Sequence, residues 1–182
     1  MRSTVLDATE ADLIGILAIY NEVIRTSSAV YTEQETTLED RRAWFVQRTG
    51  QGYPVLVAQD SSDGSVLGFA TFGDFRPPPG YRHTVEHSVY IRADARGQGL
   101  GTALVELLFG RAASLGKHVM VAGIDAANPA SIRLHERLGF ERVGTLREVG
   151  TKFGRWLDLV FMQRFVDAPH EGAHARAGGT GR

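Results

Sequence analysis

Apolar residues along this chain alternate between two spacings, and the changes of spacing mark its elements. Val5 and Leu6 predict a short first strand. Leu13, Ile16, Leu17, Tyr20 and Ile24 then recur at helical spacing behind Thr9-Glu10-Ala11-Asp12, an acidic helix start. Residues 27–36 read as a loop, and Thr37-Leu38-Glu39-Asp40 opens a second helix that ends near Gly50. The apolar runs at 55–58 and 66–72 flank the turn Ser61-Ser62-Asp63-Gly64, so they predict an antiparallel hairpin. Arg76-Pro77-Pro78-Pro79-Gly80 cannot continue a strand and is a loop. Residues 85–91 form the next predicted strand.

Helical spacing returns after residue 99. Leu100, Ala103, Leu104, Leu107, Leu108 and Leu115 are assigned to one buried helix face. Residues 119–124 predict a strand. Asn128-Pro129 starts another helix, with Asn as its cap and Pro in its first turn, and Leu138-Gly139-Phe140 ends it. Two last strands are expected near 141–149 and 156–165. The pattern predicts one α+β domain over residues 1–166, a mixed and mostly antiparallel central sheet flanked by helices. Residues 167–182 are rich in Gly, Ala and His and predict a disordered tail.

Composition narrows the function classes. The chain has 182 residues, 43% hydrophobic and 23% charged, with 20 basic against 21 acidic side chains. That balance gives no general attraction to nucleic acid or to anionic membrane. The absence of cysteine excludes disulfides, zinc–thiolate sites and a cysteine nucleophile. The N-terminus lacks a long apolar run, and no segment has the length of a membrane span, so a cytoplasmic protein is expected.

The strongest chemical signal runs from Val89 to Leu104. A strand stops, the alternating glycines Gly97, Gly99 and Gly101 follow, and an amphipathic helix begins. Bare amides at a helix start make an anion site, and glycine keeps side chains out of the way. A phosphorylated ligand is expected here. The spacing is not the G-x-G-x-x-G of dinucleotide folds, and a hairpin precedes it instead of a βαβ unit. Gly110 to His118 does not make a nucleotide P-loop either, because the glycines are misspaced and no Ser or Thr follows Lys117. His83 and His87 lie four apart, but four strand residues span about 13 Å, too far for one metal ion. No metal site is expected.

Arg96-Gly97-Gln98-Gly99-Leu100-Gly101 fits Arg/Gln-x-x-Gly-x-Gly/Ala at every position. With the segment from Asn128 to Phe140 behind it, the chain resembles the GNAT superfamily of acyl-CoA-dependent N-acyltransferases from Val5 to Phe165. Four further segments, 19–22, 73–77, 81–91 and 151–158, are similar to phosphinothricin and methionine sulfoximine/sulfone N-acetyltransferases. The resemblance implies a GNAT fold, acetyl-CoA as co-substrate, a small amino acid-like acceptor and a homodimer. It also implies amides from Gly97 to Thr102 on the coenzyme diphosphate, with Arg96, Gln98, Leu100 and Gly101 in the same turn. Val89, Tyr90 and Ile91 would pair with the pantetheine arm like an added strand. Asn128 and Ser131 would also contact the coenzyme, although helix capping alone accounts for Asn128.

Glu86 is the expected general base, since attack on a thioester requires a neutral amine. Strand alternation puts Glu86, Ser88 and Tyr90 on one face. His135 faces inward from its helix; many superfamily members have Tyr there, placed to protonate the leaving thiolate. Here a general acid and a packed, hydrogen-bonded histidine fit the spacing equally. By resemblance the acceptor pocket takes Tyr31, Arg76, Pro77, Pro78, Arg82, Glu86, His87, Ser88 and Lys152. Arg76 and Arg82 would hold a carboxylate, and the turn with Lys152 would reach a neighbouring subunit. Two other readings stay open: acetylation of a protein N-terminus or an antibiotic amine, and a non-catalytic acyl-CoA-binding regulator.

Overall fold

A computed structural model describes residues 3–166. The tail predicted at 167–182 lies outside the described residues. Seven strands make one sheet in the order β1-β2-β3-β4-β5-β7-β6. They are β1 (Ser3–Asp7), β2 (Val55–Asp60), β3 (Val66–Asp74), β4 (Thr84–Ile91), β5 (Val119–Asp125), β6 (Glu141–Lys152) and β7 (Arg155–Phe165). Every neighbouring pair is antiparallel except β4 with β5, which is parallel. Helices α1 (Leu13–Thr26) and α2 (Leu38–Gly50) cover one face; α3 (Leu100–Ser114) and α4 (Pro129–Arg137) cover the other. The α+β architecture read from the sequence is the one observed.

Each face has its own core. Leu13, Ile16 and Ile19 of α1 pack on Val55, Val57, Val66 and Phe69. On the other side Leu100, Leu104, Val105, Leu108 and Ala112 of α3 pack on Leu56, Ala70, Phe72, Val85 and Met120. Two leucines assigned to that helix face depart from it. Leu107 is 48% and Leu115 45% exposed. Leu107 lies a residue off the buried stripe, and Leu115 follows the last helical residue, Ser114.

The feature that shapes the site is a split in the sheet. Strands β4 and β5 pair only at Thr84–Val119, Val85–Met120 and Glu86–Val121. Beyond Glu86 they diverge, while β4 stays paired to β3 as far as Ile91 with Gly68. The amide of Arg92 donates to the Leu67 carbonyl, and the Thr84 carbonyl accepts from Phe75, both toward β3. Alternation then turns the backbone groups of His87, Val89 and Ile91 toward the gap.

Candidate active site

The glycine turn is built as its sequence demands. Gly97 and Gly99 have φ of 77° and 82°, a left-handed conformation that side chains disfavour. Neither glycine is there for lack of space, since a Cβ on either would meet nothing within 4 Å. Gly99 caps α3, and the first helical bond runs from the Ala103 amide to the Gly99 carbonyl at 3.1 Å. The amides of Leu100, Gly101 and Thr102 therefore have no acceptor within the helix. Gly101 serves packing, because a Cβ there would lie 3.3 Å from Leu134 of α4. Arg96 donates to the Ile91 carbonyl at 3.3 Å and joins the turn to the end of β4.

The gap between β4 and β5 holds a cavity of about 90 Å³. His87, Ser88, Val89 and Tyr90 line it from β4, and Asn128, Ser131 and His135 from α4 and its cap. Asn128 caps α4 by accepting from the Ser131 amide at 3.1 Å. An adjoining cavity of about 330 Å³ contains Glu86. Ala29, His87, Ser88, Tyr90 and Gly123 are common to both. A larger cavity of about 600 Å³, beside Asp12, Glu22, Arg25 and Arg92, contains none of the predicted site residues.

Alternation holds along β4. Tyr90 packs on Tyr20 and Phe69, on the α1–α2 side. Glu86 shares that face, and a Cβ on Gly123 would come within 3.0 Å of its carboxylate. Burial raises the pKa of Glu86, and the charge of Arg76 partly opposes the rise. The result is a more basic carboxylate that faces a cavity.

His87 points the other way, against Phe140 and His135. His135 is 2% exposed. Its Nδ1 lies 2.7 Å from the Ser131 carbonyl, an acceptor only, so Nδ1 carries the proton and donates. Nε2 of neutral His135 is then an acceptor and receives the proton of His87 Nε2 at 3.1 Å. Nδ1 of His87 is left buried without a partner. Burial, with the neighbouring His135 adding to it, pushes the pKa of His87 down to about 3. Burial also lowers that of His135. His83 belongs to a different contact, with Nδ1 at 2.8 Å from the Gly116 carbonyl.

Several residues assigned to the acceptor pocket lie elsewhere. Lys152 is 1% exposed and donates to the Ser27 and Val30 carbonyls at 2.6 and 2.8 Å. Its turn curls onto the α1–α2 loop of the same chain, so Lys152 is an internal tie and not a pocket cation. Tyr31 turns its ring against Gly150 and donates to the Asp158 carbonyl at 3.1 Å. Its pKa is raised to about 12 by burial, with Asp125 and Asp158 adding to the rise. Its neighbours Ala29 and Val30 line the Glu86 cavity instead. Pro77 and Pro78 are exposed and absent from that lining, as is Arg82, which donates to the Pro79 carbonyl at 3.3 Å. Arg76 stacks on Phe75 at 4.4 Å. The sequence reading missed Arg48, Gly73, Asp74 and Gly123 in the cavity wall. The two glycines carried a signal, since an isolated glycine inside a strand marks a close approach.

An open helix start beside a split parallel strand pair, with a carboxylate on the same strand, defines a class. The chain belongs to the acetyltransferase (GNAT) family, whose model matches residues 16–140. Within it, the chain is 54% identical over 167 residues to the L-methionine sulfoximine/L-methionine sulfone acetyltransferase of Pseudomonas aeruginosa, covering 92% of this chain and 96% of the relative. An acetyltransferase of Salmonella typhimurium, solved with its cofactor acetyl-CoA, superposes with a TM-score of 0.89 at 44% identity, covering 96% of this chain and 99% of that one. A phosphinothricin acetyltransferase of Sinorhizobium meliloti in complex with acetyl-CoA gives a TM-score of 0.87 at 41% identity, covering 97% and 98%.

Proposed function

We propose that this protein transfers an acetyl group from acetyl-CoA to the amino group of a small amino acid-like acceptor, of the methionine sulfone, methionine sulfoximine or phosphinothricin type. One observation carries the reading: β4 runs without a break from Glu86, along the gap, to the turn that opens α3. The relatives named for these substrates, and the neighbours solved with acetyl-CoA, support it.

The diphosphate binds the free amides at the start of α3, and the pantetheine arm lies in the gap against Val89 and Ile91. The acceptor amine meets the thioester near Ser88 in a ternary complex. Glu86 removes its proton, directly or through water, and the amine nitrogen attacks the thioester carbon. Backbone amides of β4 facing the gap receive the developing oxyanion. The carbon–sulfur bond then breaks, and the thiolate takes a proton from solvent. Both nitrogens of His135 are engaged, so His135 enters this reading as wall and not as acid. Arg76 adds positive potential at the mouth. A homodimer belongs to the same reading: Val149 and Trp156 of the β6–β7 hairpin are 50% and 67% exposed, an apolar edge suited to a second copy.

The test is thiol release from acetyl-CoA with methionine sulfone, phosphinothricin and short peptides as acceptors. Turnover on the first two is expected. Turnover on peptides alone selects the protein N-terminus, and coenzyme binding without any release selects the regulator. Sedimentation of the purified protein reads the dimer.

A further inference from the structure

One wall of the Glu86 cavity has no role in the reaction as described so far. Arg48, near the end of α2, reaches across β3 and lays its guanidinium over Gly73. A Cβ on Gly73 would overlap Nη1 and lie 2.7 Å from Cζ, so the arginine fills the place of the missing side chain. Gly73 is the cross-strand partner of Glu86. Paired residues of antiparallel strands project to the same face, with Cβ atoms about 5 Å apart. The guanidinium is thereby brought to the same sheet face as the base, whose carboxylate leans toward Gly123, and both line one cavity with Asp74, Ser88 and Tyr90.

This cation has no ion-pair partner among the described residues, although the charge of Asp74 favours it from farther off. Among the described residues the ion pairs are Arg25–Glu35, Arg92–Asp94, Arg111–Asp7 and Lys117–Asp74. Asp74 is engaged by Lys117 at 3.7 Å and by the Tyr53 hydroxyl. Nε of Arg48 is buried with no hydrogen-bond partner. Withdrawing a guanidinium from water without an anion is costly, and a ligand that brings the anion removes that cost.

We infer that Arg48 receives the α-carboxylate of the acceptor and makes the enzyme choose amino acids over plain amines. The inference rests on the acetyl-transfer reading above. An α-carboxylate is bonded to the carbon that carries the amine. A cation in the wall of the Glu86 cavity therefore fixes the carboxylate while the amine reaches the base. The planar fork of arginine matches a carboxylate with two hydrogen bonds, which a lysine cannot reproduce. Arg76, stacked on Phe75 outside this wall, acts on Glu86 through its charge and is left to steady the ionised base.

The experiment compares methionine sulfone with its decarboxylated counterpart, 3-(methylsulfonyl)propan-1-amine, by thiol release from acetyl-CoA. Wild type, Arg48→Gln, Arg48→Lys and Arg76→Gln are assayed, and KM for acetyl-CoA and melting temperature are recorded for each. For Arg48→Gln, kcat/KM on methionine sulfone is expected to fall about 10- to 100-fold. On the decarboxylated amine it stays within about threefold of wild type, and KM for acetyl-CoA is unchanged. Arg48→Lys recovers part of the loss. Equal losses on both amines, no loss on either, or collapse of the preference in Arg76→Gln instead would each overturn the inference. A wild type that releases no thiol with any amine defeats the acetyl-transfer reading first, and this inference with it.

Discussion

Glu86 and His87 are consecutive residues of β4, and the two faces of that strand treat them in opposite ways. On the α1–α2 side Glu86 meets a cavity, an unpaired arginine and two strand glycines, Gly73 and Gly123. On the α3–α4 side His87 meets Phe140, His135 and no open polar partner for Nδ1. Burial acts on both groups and favours the neutral form of each. For the carboxylate this produces a stronger base that still faces a cavity. For the imidazole it produces a residue that stays uncharged well below neutral pH. One strand thus separates a carboxylate proposed to react from an imidazole held by packing. Both residues border a cavity, so the dividing line is how far neighbouring rings close in the side chain, not whether the residue type is chemically versatile.

The most severe way to break this comparison is to remove the base. Glu86→Gln keeps the volume and loses the proton acceptor. Its kcat is expected to fall about 10²- to 10⁴-fold, the usual range for a positioned general base. Acetyl-CoA binding, read by calorimetry, should persist because the α3 amides are untouched. The surviving rate of wild type should also decline as pH falls through the raised pKa of Glu86, since only the carboxylate can accept the proton. A Gln variant with wild-type turnover would remove Glu86 from the mechanism.

Lys152 tests the reactive face from above. Its ammonium ties Ser27 and Val30, whose loop supplies Ala29 and Val30 to the Glu86 cavity. Burial lowers its pKa, against the favourable charge of Glu33. Lys152→Met leaves two carbonyls without their donor, at a cost of about 3 kcal/mol in urea unfolding. The same change should raise KM for the acceptor several-fold and leave KM for acetyl-CoA alone. If both constants move together, the tie supports the fold as a whole and not the pocket wall.

Sequence reasoning reached the fold because its signals are local. Period-two and helical spacing located all seven strands and four helices, and the caps at Thr37 and Asn128 are those observed. The glycine turn was equally legible, since φ above zero at Gly97 and Gly99 is a property of the backbone itself. What escaped depends on pairing between distant segments. Nothing local in the sequence singles out Arg48 until β3 and β4 align Gly73 with Glu86. Lys152 reads as a pocket residue in a turn that reaches a neighbouring subunit until the β6–β7 hairpin folds onto residues 27–30. For His135 the limit is the same: helical spacing shows that it faces inward, but not that His87 waits there.

The histidine pair supplies the finest test, because it separates the two faces by pH. His87 titrates near 6.5 when unfolded and at about 3 when folded. Between those values the unfolded chain binds the extra proton, so stability rises with pH. The contribution is complete above roughly pH 6.5 and is lost as pH falls toward the folded value. From there to about pH 5 the loss is about 2 kcal/mol for His87, with His135 adding in the same direction. Urea unfolding at these two pH values measures it. His87→Gln should flatten that dependence and leave the acid limb of kcat/KM, which the proposed mechanism gives to Glu86, where it was. If the substitution moves the activity limb and not the stability limb, the two faces of β4 are coupled, and His87 acts on the reaction through the strand.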